Sequence, residues 1–137
     1  MLAPIRLLLD TDTLSLLRRG DPRVSEHAAD HIARYEQLAF TELTWYEVIR
    51  GYRAIDAQKQ LATFEEFCRY CLILPLDRKA LDIAATIYVD LRQRGELIGE
   101  VDILISGIAL RNNMGIATCN TQHFGRISSL YLEDWSS

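Results

Sequence analysis

The stretch Ile5-Arg6-Leu7-Leu8-Leu9-Asp10-Thr11-Asp12-Thr13 decides the fold. A short apolar run that ends abruptly in acids and threonines reads as a buried strand of the kind found in parallel sheets. Thr13 can then cap a helix from Leu14 to Arg18, which Gly20 stops. The same grammar repeats along the chain. Leu38-Ala39-Phe40 reads as a second strand, closed by Thr41, which caps a helix from Glu42 to about Arg53. Leu72 to Leu76 is a third strand, placed by Pro75 near an edge or a strand end. Asp77 caps a long helix to about Arg94 that turns Ala80, Ile83, Ala84, Ile87 and Leu91 inward. Ile116 to Thr118 and Leu130 to Leu132 complete the strands. Between them, Pro22 opens a helix with Val24, Ala28, Ile32 and Tyr35 on one face. Further helices run over Ala57–Tyr70 and Val101–Asn112, with a single turn at Gln122-His123-Phe124. Strands alternating with helices predict an α/β fold. The expected form is a single-domain α/β/α sandwich over residues 1–137, with a mostly parallel central sheet.

Composition narrows the function classes. A chain of 137 residues suffices for one domain with its own core, and 49% hydrophobic residues argue against disorder. The 19 acids outnumber the 15 bases, so the net charge of −4 excludes a polycation that coats nucleic acid. It leaves room for a nucleic-acid enzyme whose carboxylates surround a metal. Three cysteines, Cys68, Cys71 and Cys119, make a disulfide framework a poor fit and a reducing cytoplasm the expected location. No membrane span is expected, because the most apolar stretch, Ile103 to Leu110, falls well short of the ~20 residues a span needs. Asp10 and Asp12 interrupt the Leu7-Leu8-Leu9 run where a signal peptide would continue apolar.

Ligands of parallel sheets bind at the carboxyl ends of strands, where strand order reverses. Asp10 and Asp12 follow the first strand, Asn120 follows the fourth, Glu47 lies on the helix after the second, and Glu100 and Asp102 open the helix leading to the fourth. Asp102 sits among Val101, Ile103, Leu104 and Ile105, and Glu47 among Trp45, Tyr46, Val48 and Ile49. Acids in apolar surroundings are costly unless they are paired or bind metal. No arginine adjoins Asp10 or Asp102, so a divalent cation is the economical partner. Oxygen-only donors point to Mg²⁺, with Mn²⁺ as a substitute, rather than to Zn²⁺. Such a cation polarises a phosphodiester and activates water for in-line attack. Helix capping and surface solvation compete with this reading, and they are accepted for Asp21 and Asp77.

Four segments together resemble the PIN-domain ribonucleases, and most closely the VapC-like toxins of type II toxin–antitoxin pairs. They are Leu8–Leu14, Thr41–Gly51, Gly99–Ala109 and Ala117–Phe124, followed by the ending Leu132-Glu133-Asp134-Trp135. The resemblance covers nearly the whole chain. It implies a Mg²⁺- or Mn²⁺-dependent endoribonuclease, held inactive by a VapB-like antitoxin and forming a homodimer within that complex. It places metal ligands on Asp10, Glu47 and Asp102, and gives Asn120 the task of orienting a water. Many family members carry Asp where this chain has Asn120, so one charge is missing. Glu100 is a candidate to compensate through water. Thr11 and Thr118 either position ligands or satisfy backbone groups at strand ends, and Asp12 either supports the ligands or caps the helix. A rival reading is a PIN-like scaffold weakened in catalysis, acting through its antitoxin.

Arg50, Arg53, Arg18 and Arg19 are the candidate phosphate contacts, with solvated helix faces as their alternative. Either Trp45 or Tyr46 can stack a base or join a dimer interface. Trp45, Tyr52, Phe64 and Phe67 form a candidate antitoxin groove, in competition with core packing. The Cys68-Arg69-Tyr70-Cys71 motif and the His27/His31 pair imitate a zinc site in the wrong order, and Cys68 fits the apolar stripe better as a buried thiol. His123 either approaches RNA or serves as a helix-turn residue, the latter being the favoured reading.

Overall fold

The computed structural model describes residues 5–137. The chain runs β1 (Leu7–Leu9), α1 (Thr11–Arg18), α2 (Pro22–Tyr35), β2 (Ala39–Thr41), α3 (Glu42–Ala54), α4 (Gln58–Cys68) and β3 (Leu72–Leu74). It continues through α5 (Arg78–Gln93), α6 (Glu100–Arg111), β4 (Gly115–Ala117), α7 (Thr121–Phe124) and β5 (Leu132–Glu133). The strands pair in parallel, β1 with β4, β4 with β5, and β2 with β3. β2 lies beside β1 without a hydrogen-bonded ladder between them, so the strands stand in the order β3-β2-β1-β4-β5. The chain leaves β1 toward β2 on one side and comes back to β4 on the other. The order therefore reverses between β1 and β4, which is where such sheets open a crevice.

Alternation along the strands divides the core. Leu8, Ala39 and Ile116 face α5 and α6, packing with Ala80, Ala84, Leu91, Ile105 and Ile108. Leu7, Leu9, Phe40 and Ala117 face the other helices, packing with Leu14, Val24, Ala28, Phe64 and Trp135. The result is the expected sandwich of helices on both faces. α5 and α6 approach closely because position 107 is glycine: a Cβ there would stand 2.5 Å from the Ala80 carbonyl oxygen.

The expected caps at Thr41, Asp77 and Asp21 are present, each side chain accepting a backbone N–H of its helix. Several boundaries differ. The first helix begins at Thr11 rather than Leu14, capped by Asp10 and not by Thr13, because the chain leaves β1 in extended geometry one residue after Leu9. On α2, His31 rather than Ile32 faces inward, with Ile32 exposed. His31 Nε2 accepts the Leu7 N–H at 3.1 Å, a donor at the sheet that the ladder leaves free. β5 starts at Leu132, two residues later than the apolar run suggests.

Candidate active site

Asp10 is buried at the end of β1, 5% exposed. One carboxylate oxygen accepts the Thr13 N–H at 2.9 Å, and the other accepts the Thr118 hydroxyl at 2.5 Å. Thr118 is fully buried just past β4, and its oxygen in turn accepts the Asn120 N–H at 2.9 Å. The Asp10 N–H continues the ladder to the Ala117 carbonyl. The ends of β1 and β4 are thus tied through one carboxylate. Burial pushes the Asp10 carboxyl above the ordinary carboxylate range; the Thr118 and Thr13 bonds oppose this, and the nearby Asp12 charge adds to it.

Glu47 projects from α3, half-buried, and one of its oxygens accepts the Thr11 hydroxyl at 2.8 Å. Having spent its only proton there, Thr11 accepts from the Thr44 hydroxyl at 3.1 Å. Asp102 lies in the first turn of α6, its carboxylate beside Gly99. Burial raises the Asp102 pKa first, and then the charges of Asp10, Glu47 and Asp12, while His123 pulls the other way. The topology therefore brings four carboxylates from three segments within mutual repulsion. Among the described residues, the ion pairs of Arg69, Arg94 and Arg111 all go to other acids. Raised, crowded carboxylates without a basic partner fit a hard divalent cation. Among the described residues, no group of three His, Cys, Asp or Glu side chains is gathered tightly enough to hold an ion as it stands. Mg²⁺ needs only one or two carboxylates from the protein, with water and substrate oxygens as its other ligands.

Thr11 and Thr118 therefore position candidate ligands. Asp12 is exposed, near enough to act on both Asp10 and Asp102. Glu100 is exposed and is not among the charges acting on Asp102. The Asn120 amide nitrogen lies 2.8 Å from His123 Nδ1. Thr44 is the supporting residue that sequence reasoning missed. Its signal was a polar side chain one helical turn before Glu47 on the same face.

Arg50 is exposed, its guanidinium 5.1 Å from the centre of the exposed Tyr46 ring, while Trp45 packs against the core. Arg18 covers the Phe64 and Phe67 rings at 4.9 and 5.3 Å, so its charge sits over the core's edge and not in the carboxylate crevice. Phe64 is fully buried, with Tyr52 meeting it edge-on and Phe67 stacked on it, both only partly buried against the core. Burial raises the Cys71 thiol to about 12, and it donates to the Phe67 carbonyl, behaviour of a structural thiol. His27 lies nearly parallel to the Trp135 ring at 5.8 Å, and His31 Nε2 accepts the Leu7 N–H. Among the described residues, no helix is long and apolar enough to cross a membrane.

The PIN-domain family matches residues 7–130. The chain is 26% identical over 133 residues to the tRNA(fMet)-specific endonuclease VapC of Salmonella typhimurium, covering 96% of this chain and 98% of that protein. It is 30% identical over 101 residues to the protein of the same name from Shigella flexneri, covering 73% and 76%. Among solved structures, DNA-bound VapBC of Salmonella typhimurium shares the fold with a TM-score of 0.84 at 23% identity, covering 96% and 99%. VapBC-1 of nontypeable Haemophilus influenzae does so with a TM-score of 0.82, also at 23% identity, covering 96% and 98%. Family match, strand order and the carboxylates at the reversal point agree: the chain belongs to the PIN-domain family, in its VapC group.

Proposed function

We propose that the chain is a divalent-metal-dependent endoribonuclease, the toxin of a type II toxin–antitoxin pair, formed by a single domain over residues 1–137. One observation carries this reading. A buried carboxylate, Asp10, is locked to Thr118 at the strand-order reversal and shares its crevice with Glu47 and Asp102, with no arginine or lysine ion pair to them among the described residues. Asp10, Glu47 and Asp102 would hold the cation, Mg²⁺ or Mn²⁺. When bound, it polarises the phosphodiester and makes water a better nucleophile at neutral pH. The residues supply the rest. Thr118 and the α1 backbone fix the Asp10 carboxylate, Thr11 and Thr44 fix that of Glu47, and the first turn of α6 carries that of Asp102. Arg50 beside Tyr46 is the candidate phosphate contact, and Asp12 adds negative charge that favours the cation.

The relatives named tRNA(fMet)-specific endonucleases make a transfer RNA the first substrate to test. The solved VapBC complexes support a VapB-like antitoxin as the partner, and we further propose a homodimer of the toxin inside that complex and a cytoplasmic location for both. The test is cleavage of end-labelled RNA by the purified protein with and without Mg²⁺. Wild type should cut only with metal, and Asp102→Asn should lose at least ~100-fold in kcat/KM, the scale of removing an electrostatic catalytic group. A wild-type chain that binds its partner but leaves every RNA intact supports the weakened scaffold instead.

A further inference from the structure

We propose that His123 contacts RNA in this site, presenting its Nε2–H to a non-bridging phosphate oxygen, and that Asn120 is a positioning residue acting through it. The inference rests on the ribonuclease reading and changes the role of Asn120 within it. Asn120 Nδ2 lies 2.8 Å from His123 Nδ1. An amide NH₂ has only protons to offer, so Nδ1 accepts and the ring proton stands on Nε2, the opposite edge. Both residues are held from behind. The Asn120 N–H donates to Thr118, Thr118 donates to Asp10, and Phe124, 1% exposed, anchors the turn that carries His123. His123 is itself exposed, and it stands close enough to Asp102 to act on that carboxyl. An N–H donor at the rim of the acidic crevice can receive a phosphate oxygen. An Asp at position 120 would accept from Nδ1–H and turn the ring's acceptor edge outward. Asn at this position is therefore a choice of tautomer rather than a weakened ligand.

Two measurements test the pair. The first is imidazole ¹⁵N NMR of the free protein, expected to show Nε2–H with unprotonated Nδ1 in wild type and the reverse in Asn120→Asp. The second is steady-state cleavage of RNA in a double-mutant cycle. His123→Ala should raise KM about tenfold with kcat within about threefold, the scale of one charge-assisted hydrogen bond. His123→Gln, which keeps a donor there, should recover most of the loss. Asn120→Ala should raise KM in the wild-type background and change nothing in His123→Ala. A wild-type Nδ1–H signature, or an Asn120→Ala penalty undiminished in the His123→Ala background, overturns the proposal. Failure of wild type to cut RNA counts against the ribonuclease reading instead, while the NMR signature still decides the tautomer and direct RNA binding by His123→Ala decides the contact.

Discussion

Asp10 is both helix cap and candidate metal ligand, and its variants separate the two. Asn caps as well as Asp, whereas Ala does not. Asp10→Asn should abolish cleavage while keeping the fold. Asp10→Ala should also lose ~1–2 kcal/mol of stability, from the cap and the unpaired Thr118 hydroxyl. Urea unfolding of the two variants distinguishes them. The raised Asp10 and Asp102 carboxyls also set a pH dependence. Above the ordinary value of 3.8 the folded chain holds protons there that the unfolded chain has released. These groups therefore subtract stability as pH rises through the folded values, and the loss is complete above them. Mg²⁺ should raise Tm at pH 7, and the rise should vanish near pH 4, in calorimetry with and without metal. Asp102→Asn should stabilise the metal-free protein by about 4 °C, the size of ~1 kcal/mol in a domain of this length, and should shrink its Mg²⁺ response. Thr13 and Asp10 illustrate the limit of local reading. Both residues can cap, and the point where β1 releases the chain chooses between them.

At the level of elements, α6 is the sensitive part. Gly107 brings its backbone against α5, so a methyl group at 107 meets Ala80 and Ala84 backbone atoms that cannot move aside. Gly107→Ala should cost ~1–3 kcal/mol through overpacking. It should also lower cleavage by shifting Asp102, five residues away on the same rigid helix. Thermal unfolding and kcat measured together check both effects. The apolar runs and the caps at Thr41 and Asp77 made most elements legible, as did the acids after strands. The inward turn of His31 was not legible, because it answers a free N–H on Leu7, 24 residues distant. The Tyr52, Phe64 and Phe67 cluster was ambiguous for a related reason. An aromatic stripe has the same spacing whether it lines a groove or fills a core.

Taken whole, the molecule carries −4, with Asp10, Asp12, Glu47 and Asp102 concentrated at one end of the sheet. RNA should therefore be repelled there until the cation is bound. Filter binding of RNA should strengthen at least about tenfold when Mg²⁺ replaces an equal ionic strength of monovalent salt, since one bound divalent ion offsets two of these charges. The break in the ladder between β1 and β2 bears on the same event. Asp10, Asp102 and Asn120 belong to the side built on β1 and β4, while Glu47 comes from the helix after β2. Thr11 alone reaches over to Thr44 and Glu47 among the site's hydroxyls described above. The crevice therefore spans two separate ladders, and the bond from the Thr11 hydroxyl carries the β1 side's order across to the Glu47 carboxylate.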